Sequence, residues 1–165
     1  MKTLTANDIQ KLAAQFNLLP AEDLEDLGKQ FIQKQPEGYE YILDRMGKGN
    51  LNQDEQELLL YLSIMAYSMV MHAMPRRPKP RRVPSANFEE SQILNQMLFT
   101  GLENASDTEA HAKYVSMIPD HVQPEIFRFL LEAIWQDQSG ADIQNDNRHP
   151  MMQYLLSLLD GLVEM

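Results

Sequence analysis

The closest approach to a chemical constellation in this chain is a set of soft metal ligands. Met69, Met71, His72 and Met74 cluster in sequence, and His149, Met151 and Met152 form a second group. Thioethers and imidazoles of this kind suit copper(I). On a helix, however, Met71 and Met74 share one face while Met65, Met69 and His72 share another, so the first group divides. Methionine is also a common filler of cores. No metal is therefore expected.

Other catalytic patterns fare worse. The four histidines, His72, His111, His121 and His149, show neither the Glu-x-x-His spacing of helical di-iron sites nor His-Glu-x-x-His. Gly47-Lys48-Gly49 lacks the Walker spacing, and there is no Gly-x-Ser-x-Gly elbow. Asp142, Gln144 and Asp146 resemble half an EF-hand, but the loop glycine is missing and Gln153 stands where the bidentate glutamate belongs. With no cysteine, thiol nucleophiles, thiolate zinc sites and disulfides are excluded. The expectation is no catalytic residue and no cofactor.

Two sets of residues remain for binding. Arg76, Arg77, Lys79, Arg81 and Arg82 alternate with four prolines, and Pro75-Arg76-Arg77-Pro78 is a minimal PxxP of the kind that SH3-like grooves accept. Read without a partner, the same segment is a solvated linker, or an electrostatic clamp lying on its own acidic flanks. Tyr61, Tyr67, His72 and Trp135 are the candidate polar handles of a small-molecule pocket.

Charge weighs on both readings. The formal net charge of −10 divides into −5 over residues 1–74, +5 over 75–86 and −10 over 87–165. Acidic surface opposes phosphate backbones and anionic lipid. A helix-turn-helix at the N-terminus is refused on the same ground, because Glu22, Asp23, Glu25 and Asp26 would face the phosphates.

The elements that must position these groups read as helices throughout. Thr5 with Asp8, Asn52 with Glu55, Asn87 with Glu90 and Ser106 with Glu109 have capping-box spacing, while Pro20, Pro36, Pro124 and Pro150 suit the first turns of four further helices. Ile93, Leu94, Met97, Leu98 and Leu102 predict the buried face of the fifth helix. Pro119 is read as the end of the sixth, Gly140 as the close of the seventh, and Ser139 to His149 as the longest loop. The fourth, from Asn52 to about Met74, is expected to be central, burying Leu59, Leu62, Met65, Ala66 and Met69 against both halves. Its uncharged stretch from Leu58 to Met74 is diluted by Tyr61, Ser63, Tyr67, Ser68 and His72, so a membrane span is not expected.

The expected class is all-α: a bundle of about eight helices, with halves 1–74 and 87–165 joined by a basic, proline-rich, extended strap at 75–86, together one compact domain. A faint echo relates helix 1, Pro20 and helix 2 to helix 6, Pro119 and helix 7, as in a four-plus-four duplication. Met1 to Leu12 lack the apolar run of a signal peptide, which points to a cytoplasmic protein. The expected function is non-enzymatic protein–protein interaction, as an adapter or regulator whose partner is another protein, with two-fold self-association relieving the apolar load. The alternatives are a helical small-ligand binder or an enzyme with a non-local site, and an anionic partner, least of all nucleic acid, on the strap.

Overall fold

A computed structural model describes residues 1–77, 79–102, 104–136 and 141–165. Pro78, Ser139 and Gly140, which the readings above invoke, lie outside them. Eight α-helices follow one another, with no strand among the described residues: α1 (Ala6–Asn17), α2 (Ala21–Lys34), α3 (Pro36–Lys48), α4 (Gln53–Ala73), α5 (Ser85–Leu98), α6 (Asp107–Met117), α7 (Pro124–Trp135) and α8 (Asn145–Leu162). A 3₁₀ turn, Ile118–Asp120, extends α6 past its end and accommodates Pro119. No helix among the described residues is long and apolar enough to cross a membrane.

Local signals start several helices as expected. The Thr5 hydroxyl accepts the Asp8 N–H at 3.2 Å while Asp8 accepts that of Thr5 at 2.9 Å. These bonds hold the Asp8 carboxyl down at about 2, below the ordinary carboxylate range. Asn52 and Glu55 form the same reciprocal box at 2.9 Å each way. Pro36 and Pro124 open α3 and α7.

Three boundaries differ from expectation, the first being the end of α7 at Trp135 rather than near Gly140. α5 begins at Ser85, after Pro84, not at Asn87. α8 begins at Asn145, so Pro150 lies inside the helix rather than opening it. The helix survives its proline because distant side chains hold its first turns. Glu55, fully buried, accepts N–H bonds from Gln144 at 2.8 Å and Asn147 at 2.8 Å, and the Tyr114 hydroxyl reaches the His149 carbonyl at 3.1 Å.

The two halves share one core, and Leu59, Leu62, Met65, Ala66 and Met69 of α4 are all buried in it. α4 touches α1, α2 and α3 of its own half and α7 and α8 of the other. α8 is an equal hub, contacting α3, α4, α5, α6 and α7.

An approximate two-fold relation organises these contacts. Pairing α1–α4 with α5–α8 turns every main contact into another: α1·α4 into α5·α8, α1·α7 into α5·α3, α2·α4 into α6·α8, and α3·α8 into α7·α4. The joints repeat at atomic level. Gln35, before Pro36, donates its side-chain amide to the Arg81 carbonyl at 2.7 Å and accepts the Val83 N–H at 2.9 Å. Gln123, before Pro124, donates to the Lys2 carbonyl at 2.9 Å and accepts the Leu4 N–H at 3.1 Å. The end of α4 accepts Lys2 N–H through Ala73 at 2.8 Å, and Met165, beyond α8, accepts Arg81 N–H at 3.1 Å. Each half thus binds the extended lead-in segment of the other. The pairing differs from the Pro20 and Pro119 echo, which aligned α1 with α6.

The two halves differ where the first helix of each meets the last. Four residues before the accepting carbonyl, α8 has Gly161, whereas α4 has Met69. A Cβ on Gly161 would lie 2.3 Å from the Phe88 ring, and one on Gly38 would lie 3.0 Å from it. Phe88 therefore sinks completely between α3 and α8. Gly161→Ala is expected to destabilise the fold by about 1–3 kcal/mol through overpacking. Denaturant midpoints will show the loss, and the smaller ring-free side chain of Phe88→Leu should recover part of it in the double variant.

Candidate functional site

The buried face of α5 is not the predicted one. Ile93, Leu94, Met97 and Leu98 are 59, 57, 64 and 50% exposed. The helix instead turns Phe88, Asn95 and Phe99 inward. Spaced seven and four residues apart, they form a rival helical stripe. Phe99 packs on Tyr114 and His149, with ring centres 4.7 and 4.6 Å away. Tyr41 of α3 donates to Gln92 at 2.9 Å. Asn95 donates to Asp160 at 2.8 Å and to the Ser157 hydroxyl at 3.2 Å. Two aromatic anchors with satisfied amides between them outweigh four aliphatic side chains left in water.

Beside this apolar face runs an open groove of about 420 Å³ between α5 and the α6 end, lined by Leu98, Met117, Phe127 and Leu156 with Lys113, Asp120, His121 and Asp160. His121 and Asp160 invite a general-base reading, and their bonding refuses it. Nδ1 of His121 accepts the Gln123 N–H at 2.9 Å, which places the ring proton on Nε2, 2.9 Å from Asp160. Neither nitrogen retains a lone pair for a substrate. Ser116 in the same groove donates to the Lys113 carbonyl at 2.6 Å. Asn95, His121 and Asp160 are therefore structural, tying α5 and the α6 end to α8.

The four predicted pocket residues do not converge. Tyr61 alone lines a second open groove, about 260 Å³, between α1, α4 and α7 beside Phe129. Tyr67 is buried and stacks on Phe31 at 5.0 Å, and burial raises the pKa of its hydroxyl. His72 is exposed near the end of α4. Trp135 packs beside His111 and Tyr114, at 5.2 and 5.8 Å, and its indole N–H is buried with no hydrogen-bond partner among the described residues.

The soft-ligand clusters are likewise divided. Met69, Met151 and Met152 are in the core, away from the exposed His72, and the His149 ring faces the Tyr114 hydroxyl at 2.8 Å. Among the described residues no group of three or more His, Asp or Glu is placed to hold a metal ion.

The five basic residues between α4 and α5 separate into two sets. Arg82 forms a two-pronged ion pair with Glu37 at 2.6 and 2.7 Å, lowering the pKa of that carboxyl. Arg81 reaches the Glu164 carbonyl at 3.4 Å. Val83 is buried, and the Gln35 amide holds the segment on both sides of Arg82 beside that ion pair. Arg76, Arg77 and Lys79 are exposed and carry no ion pair among the described residues.

A pH prediction follows from the anchoring of α5. Burial pushes the Tyr41 hydroxyl up from 10.0 to about 12, and Tyr114 rises in the same direction. Because the folded value lies above the unfolded one, the contribution is complete below pH 10 and is lost as pH rises through about 12. Alkaline unfolding followed by circular dichroism and tyrosinate absorbance should show this loss, and Tyr41→Phe should reduce it. No family model, curated protein or solved structure matches the chain, so function has to be read from these surfaces themselves.

Proposed function

We propose that the protein is a non-enzymatic interaction protein that docks a protein partner, a second copy or an unlike chain, on the outer face of α5 and the adjoining groove. The observation carrying this reading is the exposure of Ile93, Leu94, Met97 and Leu98 on a helix whose opposite face is fully anchored. Half-exposed side chains of this size leave on the order of 400 Å² of apolar surface uncovered, comparable with the largest patch on typical monomers, which is often functional.

The internal two-fold offers a comparison. In the register that pairs Lys2 with Arg81 and Leu4 with Val83, the four positions correspond to Ala14, Gln15, Leu18 and Leu19, of which Leu18 is 83% exposed. Ala14 and Gln15 are exposed as well, so the large apolar side chains at the places of Ile93 and Leu94 are particular to α5. Mobile methionine and branched aliphatic side chains suit a protein surface. A role for the groove residues in binding rather than catalysis accords with the fully engaged His121.

A second reading is supported by Arg76, Arg77 and Lys79, three exposed cations without an ion pair among the described residues. They suit an acidic segment of a partner, and such binding would fall steeply with salt.

The two readings separate by mutation. Leu94→Glu should leave the thermal midpoint nearly unchanged, since the side chain is exposed, yet weaken capture of partners from native lysate at least tenfold, about 1.4 kcal/mol. Replacing Arg76, Arg77 and Lys79 together by glutamine should have the smaller effect. Unchanged capture by Leu94→Glu would contradict the assignment to α5.

A further inference from the structure

We propose that the occupant of the α5 face is a second copy of this chain, paired antiparallel about a two-fold axis between Leu94 and Met97; the inference rests on the reading of that face as a protein-docking surface. An isologous interface must be complementary to itself. The apolar quartet meets this condition. Ile93, Leu94, Met97 and Leu98 lie symmetrically about the midpoint of their own segment. When two such helices run antiparallel, residues on one side of the seam repeat on the same side at the mirrored height. Ile93 then falls against the second copy's Met97, and Leu94 against its Leu98.

The charges at the two ends of the face obey the same condition. Glu90 is exposed one turn before Leu94, with no ion pair among the described residues. Lys113 lines the groove beside Leu98 at the other end, also without one. Reversal of one helix brings Glu90 of each copy toward Lys113 of the other, giving two equal pairs. Glu89, by contrast, is already held by Arg45 within its own molecule. The α5 face thus presents an unpaired anion, an apolar centre and an unpaired cation in that order, which is the pattern that an antiparallel copy complements.

Area points the same way. A specific interface buries about 800 Å² per partner. The quartet supplies on the order of half of that. The open groove and the Glu90 and Lys113 flanks, which lie alongside it, provide the polar rim of an interface of ordinary size.

Sedimentation equilibrium from low to high micromolar concentration tests the proposal with the intact chain. The expected mass at the upper end is twice the 19.0 kDa of the chain. Leu94→Glu should return it to the monomer with an unchanged circular dichroism spectrum. Glu90→Lys and Lys113→Glu should each weaken the dimer several-fold, and the double variant should recover most of the loss.

A wild-type protein monomeric throughout would overturn the second-copy proposal. If that monomer still captures an unlike protein, and Leu94→Glu abolishes the capture, the docking face stands and only its occupant is wrong. If it captures nothing, both fall. A dimer indifferent to Leu94→Glu and to Met97→Glu would place the interface elsewhere. Failure of the double charge reversal to recover association would overturn the antiparallel register.

Discussion

Phe88 occupies a slot that exists because residues 38 and 161 have no side chains. Its ring is the point at which α5 is locked between α3 and α8, and from that lock the orientation of the whole helix follows. With Phe88 inward, helical geometry brings Asn95 and Phe99 inward on the turns that follow. The same rotation forces Ile93, Leu94, Met97 and Leu98 outward. The exposed apolar face is thus a mechanical consequence of one aromatic side chain. Its energetic cost is offset by a fully enclosed ring, satisfied Asn95 donors and the packing of Phe99 against Tyr114.

The same slot marks a difference between two halves otherwise built alike. Both use a glutamine before a proline to hold the lead-in segment of the other half, and both hang their first helix on the last one. In the first half Met69 stands where Gly161 stands in the second. An open groove remains there between α1, α4 and α7, lined on α4 by Leu58, Tyr61, Leu62 and Met65. In the second half α5 sits tightly on α8 and the available apolar surface lies outside. The protein is a pseudo-symmetric frame with the exposed apolar face of α5 on one side.

Much of the frame was legible in the chain. The reciprocal bonds of Thr5 with Asp8 and Asn52 with Glu55 are local, and so their spacing sufficed to mark the starts of α1 and α4. The buried stripe of α4 was equally plain. The exposed apolar face of α5 was not, because α5 carries two helical stripes and ranking by hydrophobicity selects the aliphatic one. What decides between them is the space beside Gly38 and Gly161, far away in sequence. The start of α8 was hidden for a similar reason. Glu55, which holds Gln144 and Asn147, is about ninety residues removed from them, and a proline inside a helix is unreadable without those bonds. Likewise Gln35 and Gln123 bear no local mark of clamping an extended segment. Tyr61, Tyr67, His72 and Trp135 lie apart in the fold, because residue types alone do not specify direction.

Absence of cysteine makes the orientation of α5 directly measurable, since any introduced thiol is the sole one. The decisive measurement is the rate of thiol alkylation in single-cysteine variants at positions 93, 95 and 97, which leave Phe88 in place, at protein concentrations too low for association. The account predicts rapid labelling at 93 and 97, near the rate of an unfolded control, and strong protection at 95. Protection at 93 and 97 with rapid labelling at 95 would show α5 rotated onto its aliphatic stripe, and the docking face described here would not exist.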